Sequence, residues 1–207
     1  MKDELRDAIR KLCKRYPDKY WQNLDRERAY PDKFVGELTD AGYLACMIPE
    51  EFGGPGLGIR EAAVILEEIN RSGGNGAACH AQMYTMGTLL RHGSEEQKRR
   101  WLPGIASGET RLQVFAVTEP DAGSDTTKIS TFAEKNGDRY IVNGKKNFIS
   151  RVQHSELMIL LARTTHLKDV EKKTDGLSVF LVDLRKAGNC IKVNPLNTMI
   201  NHETNEV

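Results

Sequence analysis

Phe115-Ala116-Val117-Thr118-Glu119-Pro120-Asp121-Ala122-Gly123-Ser124-Asp125 is the stretch on which the reading of this chain turns. A short run of β-forming residues gives way to a turn crowded with small side chains and side-chain oxygens. Gly123 has no Cβ, so the main chain there can press close against a flat ligand. Thr118, Ser124 and Asp125 set hydroxyl and carboxylate groups where the chain reverses. Turn chemistry alone makes this a polar turn, and most polar turns bind nothing.

The two flanks of this stretch differ in period. Up to Glu109 the apolar spacing is helical. Ile59, Ala62, Ala63, Leu66 and Ile69 recur at three and four residues, and Gly73-Gly74 supplies the stop. Ala77 to His92 reads as a further helix closed by Gly93, and Ser94 with Gln97 forms a capping-box pattern opening the next. Asp3 to Tyr16 and Pro31 to Ala41 complete about five helices, a helical bundle. After Thr110 the pattern changes. Asn136-Gly137 and Asn143-Gly144 read as two type I′ hairpin turns bracketing a strand over Asp138 to Val142. Leu157 to Ala162 and Leu177 to Leu184 are strand-like runs separated by the charged loop Thr164 to Asp175. The expected fold is α+β: an N-terminal helical bundle over 1–109, then an antiparallel β-barrel-like domain over 110–207.

Composition excludes several function classes. In 207 residues, 30 basic and 29 acidic side chains nearly cancel, so no nucleic acid or other polyanion is expected as partner. Lys98-Arg99-Arg100 lies among Glu and Gln and reads as a solvated helix face. No apolar run reaches the roughly 20 residues of a membrane-spanning helix. The N-terminus, Met1-Lys2-Asp3-Glu4-Leu5-Arg6, carries both signs of charge and no apolar core, unlike a secretory signal. Cys13, Cys46, Cys79 and Cys190 are scattered without a C-x-x-C pair, which reads as reduced thiols in the cytoplasm.

The decisive stretch resembles the flavin-binding signature of the acyl-CoA dehydrogenase family: small, aliphatic, Ser/Thr, Glu, two variable residues, small, Gly, Ser/Thr, Asp. Ala116, Val117, Thr118, Glu119, Ala122, Gly123, Ser124 and Asp125 fit it without a gap, while Lys128 stands where the family has a small residue. Gly144-Lys145-Lys146-Asn147-Phe148-Ile149-Ser150 is similar to a second family piece, G-x-K-x-[WF]-I-[ST], with Phe148 in place of Trp and Ser150 in place of Thr. A helical domain followed by a β domain also matches the family's first two domains; its third, another helical bundle, has no counterpart here.

That resemblance implies FAD as cofactor. It places Phe115, Val117 and Thr118 along the isoalloxazine, with Thr118 donating to its pyrimidine side, where negative charge develops on reduction. It brings Gly123 and Ser124 to the pyrophosphate and the mouth of the acyl channel, and makes Ser124 a substrate contact. Within the second piece, Phe148 packs on the flavin, Ile149 continues that strand, and the Ser150 hydroxyl reaches N5 or O4. The implied reaction is α,β-dehydrogenation of an acyl-CoA thioester to the 2,3-enoyl-CoA, in fatty acid metabolism, with electrons passing to an electron-transfer flavoprotein. The family also implies a homo-oligomer, dimer or tetramer. Its glutamate base lies in the third domain, so no catalytic residue is expected between Met1 and Val207. The same scaffold also carries flavin monooxygenases and oxidases, and a truncated structural subunit is a third reading.

Other constellations fail on spacing. Pro49-Glu50-Glu51-Phe52-Gly53-Gly54-Pro55-Gly56-Leu57-Gly58 lacks the G-x-G-x-x-G order of a dinucleotide loop and reads as structural. His80, His92, His154, His166 and His202 form no metal-ligand spacing. Cys79 sits in a helical stretch and reads as packed; no G-x-S-x-G elbow or P-loop is present. The family resemblance also implies that the floor of an acyl pocket comes from near Met83 to Gly87 and from segments beyond Val207, with Tyr84 and Met86 pointing to a filled, shorter pocket.

Overall fold

The computed structural model describes residues 2–200 and 203–207; Met1, Asn201 and His202, the last weighed above as a metal ligand, lie outside the described residues. The chain divides into two compact units, the first comprising the residues up to Gln113 together with Met199 and Ile200, the second Val114–Thr198 and Glu203–Val207.

Six helices build the first unit: α1 Lys2–Cys13, α2 Asp18–Glu27, α3 Asp32–Asp40, α4 Ile59–Arg71, α5 Ala77–His92 and α6 Glu95–Ser107. The apolar stripes of α1, α3, α4 and α5 meet in a core holding Ile9, Phe34, Leu38, Ile65, Ile69 and Met83. The α1–α4 seam carries a buried charge cluster, in which Glu68, 1% exposed, accepts from Arg10 Nε at 2.7 Å and Nη2 at 2.9 Å. Those bonds, Arg10's first and then Arg6's, hold its carboxyl down at about 2 against the opposing effect of burial. The capping box at Ser94 forms as the spacing predicts, with Gln97 N donating to Ser94 Oγ at 3.2 Å and Ser94 N to Gln97 Oε1 at 2.9 Å.

Helix α2 has no counterpart in the sequence analysis. Its residues, Asp18-Lys19-Tyr20-Trp21-Gln22-Asn23-Leu24-Asp25-Arg26-Glu27, include none that is fully buried, although Tyr20 and Trp21 pack half-buried against the core. Edge-to-face aromatic contacts fasten that face: Tyr16–Tyr20 at 4.9 Å and Trp21–Phe34 at 4.8 Å between ring centroids. The glycine-rich loop after Pro49 folds on itself. Gly56 N–H donates to Ile48 O at 2.8 Å, and a Cβ on Gly54 would lie 2.2 Å from that same carbonyl. Chain-on-chain packing accounts for its glycines, as a structural loop requires.

In the second part of the chain the strands are β1 Leu112–Ala116, β2 Phe132–Asn136, β3 Arg139–Asn143, β4 Ile149–Ser150, β5 Leu157–Arg163, β6 Leu177–Asp183, β7 Asn194–Pro195 and β8 Thr204–Glu206. They form two sheets, β1-β5-β2-β3 with β6 on β5, and β4-β8-β7. The α+β class stands, but the barrel does not: neither sheet closes, and β2 runs parallel to β5 at the rung Phe132↔Arg163. Arg163 explains that junction. Its guanidinium, in a residue 2% exposed, donates to the carbonyls of Ile129 (2.9 Å), Asp175 (3.0 Å), Thr127 (2.6 Å) and Lys173 (2.8 Å). Four carbonyls and no carboxylate satisfy this buried cation. They pin the end of β5 to the entry of β2 and tether the charged loop beyond it.

Both Asn-Gly turns depart from expectation. In the β2–β3 hairpin Asn136 pairs with Arg139, so Gly137 and Asp138 connect the strands; Gly137 (φ 63°) alone of these has positive φ. That is the pattern of a II′ turn, one residue later than the expected I′. At Asn143-Gly144 there is no hairpin, because the chain runs on to β4. Gly144 serves close approach: a Cβ there would lie 2.2 Å from Thr131 Oγ1. Gly144→Ala is accordingly expected to cost about 1–3 kcal/mol through overpacking. Gly36→Ala, inside α3 with nothing within 4 Å of the added methyl, is expected to stabilise by up to about 1 kcal/mol. Urea unfolding midpoints of the two variants give the opposite signs directly.

Candidate functional site

Lys146 joins the two motif segments. Its ammonium sits 2.8 Å from Glu119 Oε1 and donates to Val117 O at 3.0 Å. One residue on, Asn147 N–H donates to Thr118 O at 2.8 Å. The second carboxylate oxygen of Glu119 takes Ser130 N–H at 2.7 Å and Ser130 Oγ at 2.8 Å, and Oε1 also takes Thr131 N–H at 2.9 Å. Both side chains of the pair are 4% exposed. Burial by itself would push the Glu119 carboxyl up. The Lys146 ammonium and the donors from Thr131 and Ser130 outweigh it and hold the group at about 2. Burial also lowers the pKa of Lys146, against the pull of Glu119.

Around this brace the candidate residues divide by exposure. Phe115 is 42% and Phe148 62% exposed, so two aromatic rings remain outside the core. Phe148 takes φ 59° at the bend just before β4. Val117, Thr118 and Ser150 are half-buried, and Gly123 and Ser124 are exposed. Ile149, grouped with them in the sequence analysis, is a core residue at 1% exposure, packed with Val114, Ala116 and Met158. Its carbonyl accepts from Asn205 Nδ2 at 3.0 Å. Glu119 and Ala122 exchange backbone hydrogen bonds at 2.9 and 3.2 Å, closing the Pro120-Asp121 turn that leads to Gly123. Asp125 caps the 3₁₀ turn Thr126–Lys128, accepting from Thr127 N–H at 3.1 Å. Lys128, the departure from the family pattern, is exposed with its ammonium 3.9 Å from Asp125, and the turn forms around it.

Two features suit a flat ring with a polar edge. Among the described residues the Thr118, Ser124 and Ser150 hydroxyls take no protein hydrogen-bond partner. A Cβ built on Gly123 meets nothing within 4 Å. Exposed aromatic faces, uncommitted hydroxyls and an open glycine fit a conjugated cofactor that presents donors and acceptors along one edge.

The helical unit holds its own groove between α4 and α5, about 680 Å³, lined by Ile59, Leu66, His80, Met83, Tyr84 and Gly87 among others. Tyr84 faces it, whereas Met86, expected beside it, is fully buried in the core and does not line it. The four cysteines are unpaired; Cys46 is pushed up to about 12 by burial. Among the described residues no cluster of His, Cys, Asp or Glu is arranged to hold a metal, and no helix is long and apolar enough to cross a membrane.

The family model for the acyl-CoA dehydrogenase N-terminal domain matches residues 2–109, and that for the acyl-CoA dehydrogenase middle domain matches residues 114–207. The chain belongs to the acyl-CoA dehydrogenase family. Members of this family are FAD-dependent oxidoreductases. A 3-(aryl)acrylate reductase of Clostridium sporogenes is 34% identical over 191 residues, covering 89% of this chain and 49% of that protein. The glutaryl-CoA dehydrogenase of Desulfococcus multivorans is 33% identical over 191 residues, covering 89% of this chain and 46% of that protein. An acyl-CoA dehydrogenase structure from Geobacillus kaustophilus superimposes with a TM-score of 0.89 at 28% identity, covering 99% of this chain and 54% of that one. The chain spans about half the length of the curated relatives it matches.

Sequence reasoning missed Lys146 as the brace. Its only signal was the lysine of the second motif, whose partner lies 27 positions upstream. Replacing one member of a buried pair strands the other's charge, so Lys146→Met is expected to cost about 3–5 kcal/mol at pH 7. Because folding depresses the Glu119 pKa from about 4.5, its contribution is complete above that value, fades as pH falls and is gone below about 2. Denaturation curves from pH 7 down to 3 should therefore show the gap between wild type and Lys146→Met narrowing on acidification.

Proposed function

We propose that this chain, reading 1–109 as the helical domain and 110–207 as the β domain, supplies the flavin-binding portion of an FAD-dependent acyl-CoA dehydrogenase. The reaction is α,β-dehydrogenation of an acyl-CoA thioester to the 2,3-enoyl-CoA, with an electron-transfer flavoprotein as acceptor and a homo-oligomer as the working form. The observation that carries this reading is the Glu119–Lys146 brace, which sets the segment with Phe115, Thr118 and Ser124 beside the segment with Phe148 and Ser150.

FAD, when bound, takes up the hydride lost from the substrate's β carbon. This chain's residues position it. Phe115 and Phe148 offer ring faces for stacking, Thr118 and Ser150 offer hydroxyl donors along one edge, and Gly123 lets the backbone come close. Ser124 is the proposed thioester contact. Abstraction of the α proton needs a carboxylate positioned on the substrate. Glu119 does not provide it, because both its oxygens are consumed by Lys146, Ser130 and Thr131. The base is assigned to the part of the whole protein that follows the β domain.

The similarity to a reductase of 3-(aryl)acrylates favours one second reading, the same site working toward reduction of an enoyl thioester. The two directions separate by which ligand reacts. Anaerobic bleaching of the yellow whole protein by an acyl-CoA supports dehydrogenation; reoxidation of the reduced protein by an enoyl-CoA alone supports reduction. Failure of bleaching with every acyl length contradicts the first. Gly123→Ala is expected to weaken FAD binding about tenfold, ~1.4 kcal/mol. Its urea midpoint should be unchanged, because the added methyl meets no protein atom.

A further inference from the structure

Four non-glycine residues among those described have positive φ, and three of them lie together: Phe148 (59°), Arg151 (63°) and Glu203 (45°). Residues with a Cβ hold this conformation only where their surroundings over-determine it. Strands β4 and β8 pair at Ile149↔Asn205 and Ser150↔Thr204. The ladder continues one rung further, with Arg151 N–H donating to Glu203 O at 3.0 Å. On that rung both strands leave the extended conformation at once. Their side chains, 3% and 9% exposed, form a buried ion pair, Arg151 Nε to Glu203 Oε2 at 3.5 Å. Asn205, fully buried, exchanges amide hydrogen bonds with Gln153 at 2.6 and 3.0 Å and donates to Glu203 O at 2.7 Å.

A bend of this kind could be made with glycines and an apolar plug. Here two strained residues and two desolvated charges are spent on it, and they sit at the end of the segment that presents Phe148 and Ser150. We infer that Arg151 and Glu203 are a positioning pair: by locking the bend after Ser150, they hold the Ser150 hydroxyl and the outward Phe148 ring in one arrangement for the bound cofactor. This inference rests on the flavin reading above. It carries an electrostatic corollary that a remote structural rivet would not. Removing the Glu203 charge leaves a buried cation one residue from Ser150, and a cation there favours the electron-rich, reduced ring.

The test uses the whole protein and its Glu203→Gln, Arg151→Gln and Arg151→Gln/Glu203→Gln variants, reading FAD dissociation by fluorescence, flavin reduction potential by dye equilibration, and Tm. Glu203→Gln is expected to weaken FAD binding by about tenfold or more through misplacement of the contact groups, and to raise the potential. The neutral double variant returns the potential toward wild type. Glu95→Gln, which removes the exposed Lys98–Glu95 pair of α6, changes neither. A Glu203→Gln protein with lowered Tm but wild-type FAD affinity and potential overturns the inference. Should the variants fail to fold, hydrogen exchange of wild type with and without FAD decides: protection at residues 149–151 and 203–205 supports the pair's role, and unchanged exchange there overturns it. A wild-type protein that binds no FAD removes the flavin reading itself, a result distinct from a variant that keeps wild-type flavin.

Discussion

A buried lysine holding a buried glutamate is what the candidate site depends on. Neither charge is stable alone in the interior, and each is satisfied because the other is present with several backbone groups. Glu119 brings in the turn that ends at Asp125 through Ser130 and Thr131, and Lys146 reaches back to the Val117 carbonyl. The pair spans 27 positions of sequence, so it converts two separate turns into one surface. On that surface the Phe115 and Phe148 rings and the Thr118, Ser124 and Ser150 hydroxyls stay accessible, while the charges of Glu119 and Lys146 are used up inside. The surface thereby offers aromatic and hydrogen-bonding groups suited to a conjugated ring with a polar edge.

Buried charge serves the rest of the β unit in the same way. Arg163 gathers four carbonyls from two loops, and Arg151 with Glu203 closes the ladder between β4 and β8. In each case a long cation fixes irregular backbone that strand pairing alone would leave loose. The sheets need this help because β4 and β7 are only two residues long and β3 is exposed throughout. Ladder hydrogen bonds of such short strands are too few to define a site at the precision a cofactor needs.

Much of this was legible in the sequence, and the failures are physically instructive. Helices α4, α5 and α6 were readable because apolar stripes, glycine stops and the Ser94–Gln97 box are local signals. Helix α2 was not, because its short core-facing side is made of half-buried aromatics, Tyr20 and Trp21, set among charged residues and held by the rings of Tyr16 and Phe34. Asn143-Gly144 looked like a hairpin, yet Gly144 answers to the Thr131 side chain, a contact with no trace in local composition. Sheet connectivity failed for the same reason: the parallel rung at Phe132 follows from where Arg163 finds its carbonyls. Within the site, the two motifs gave the exposed residues by their order alone. Lys146, Arg151 and Glu203 stayed hidden because a charged residue reads as surface until its partner is known. Ile149 turns its side chain into the core, since a motif position does not say which face of a strand it occupies.

The most direct measurement is the crystal structure of the whole protein with FAD bound. The account predicts isoalloxazine density stacked on Phe148, with Thr118 and Ser150 hydroxyls within hydrogen-bonding distance of its heteroatoms and the Glu119–Lys146 pair intact beneath. Density for the ring at any other place, or a Lys146 turned away from Glu119 with the flavin still seated, would contradict it.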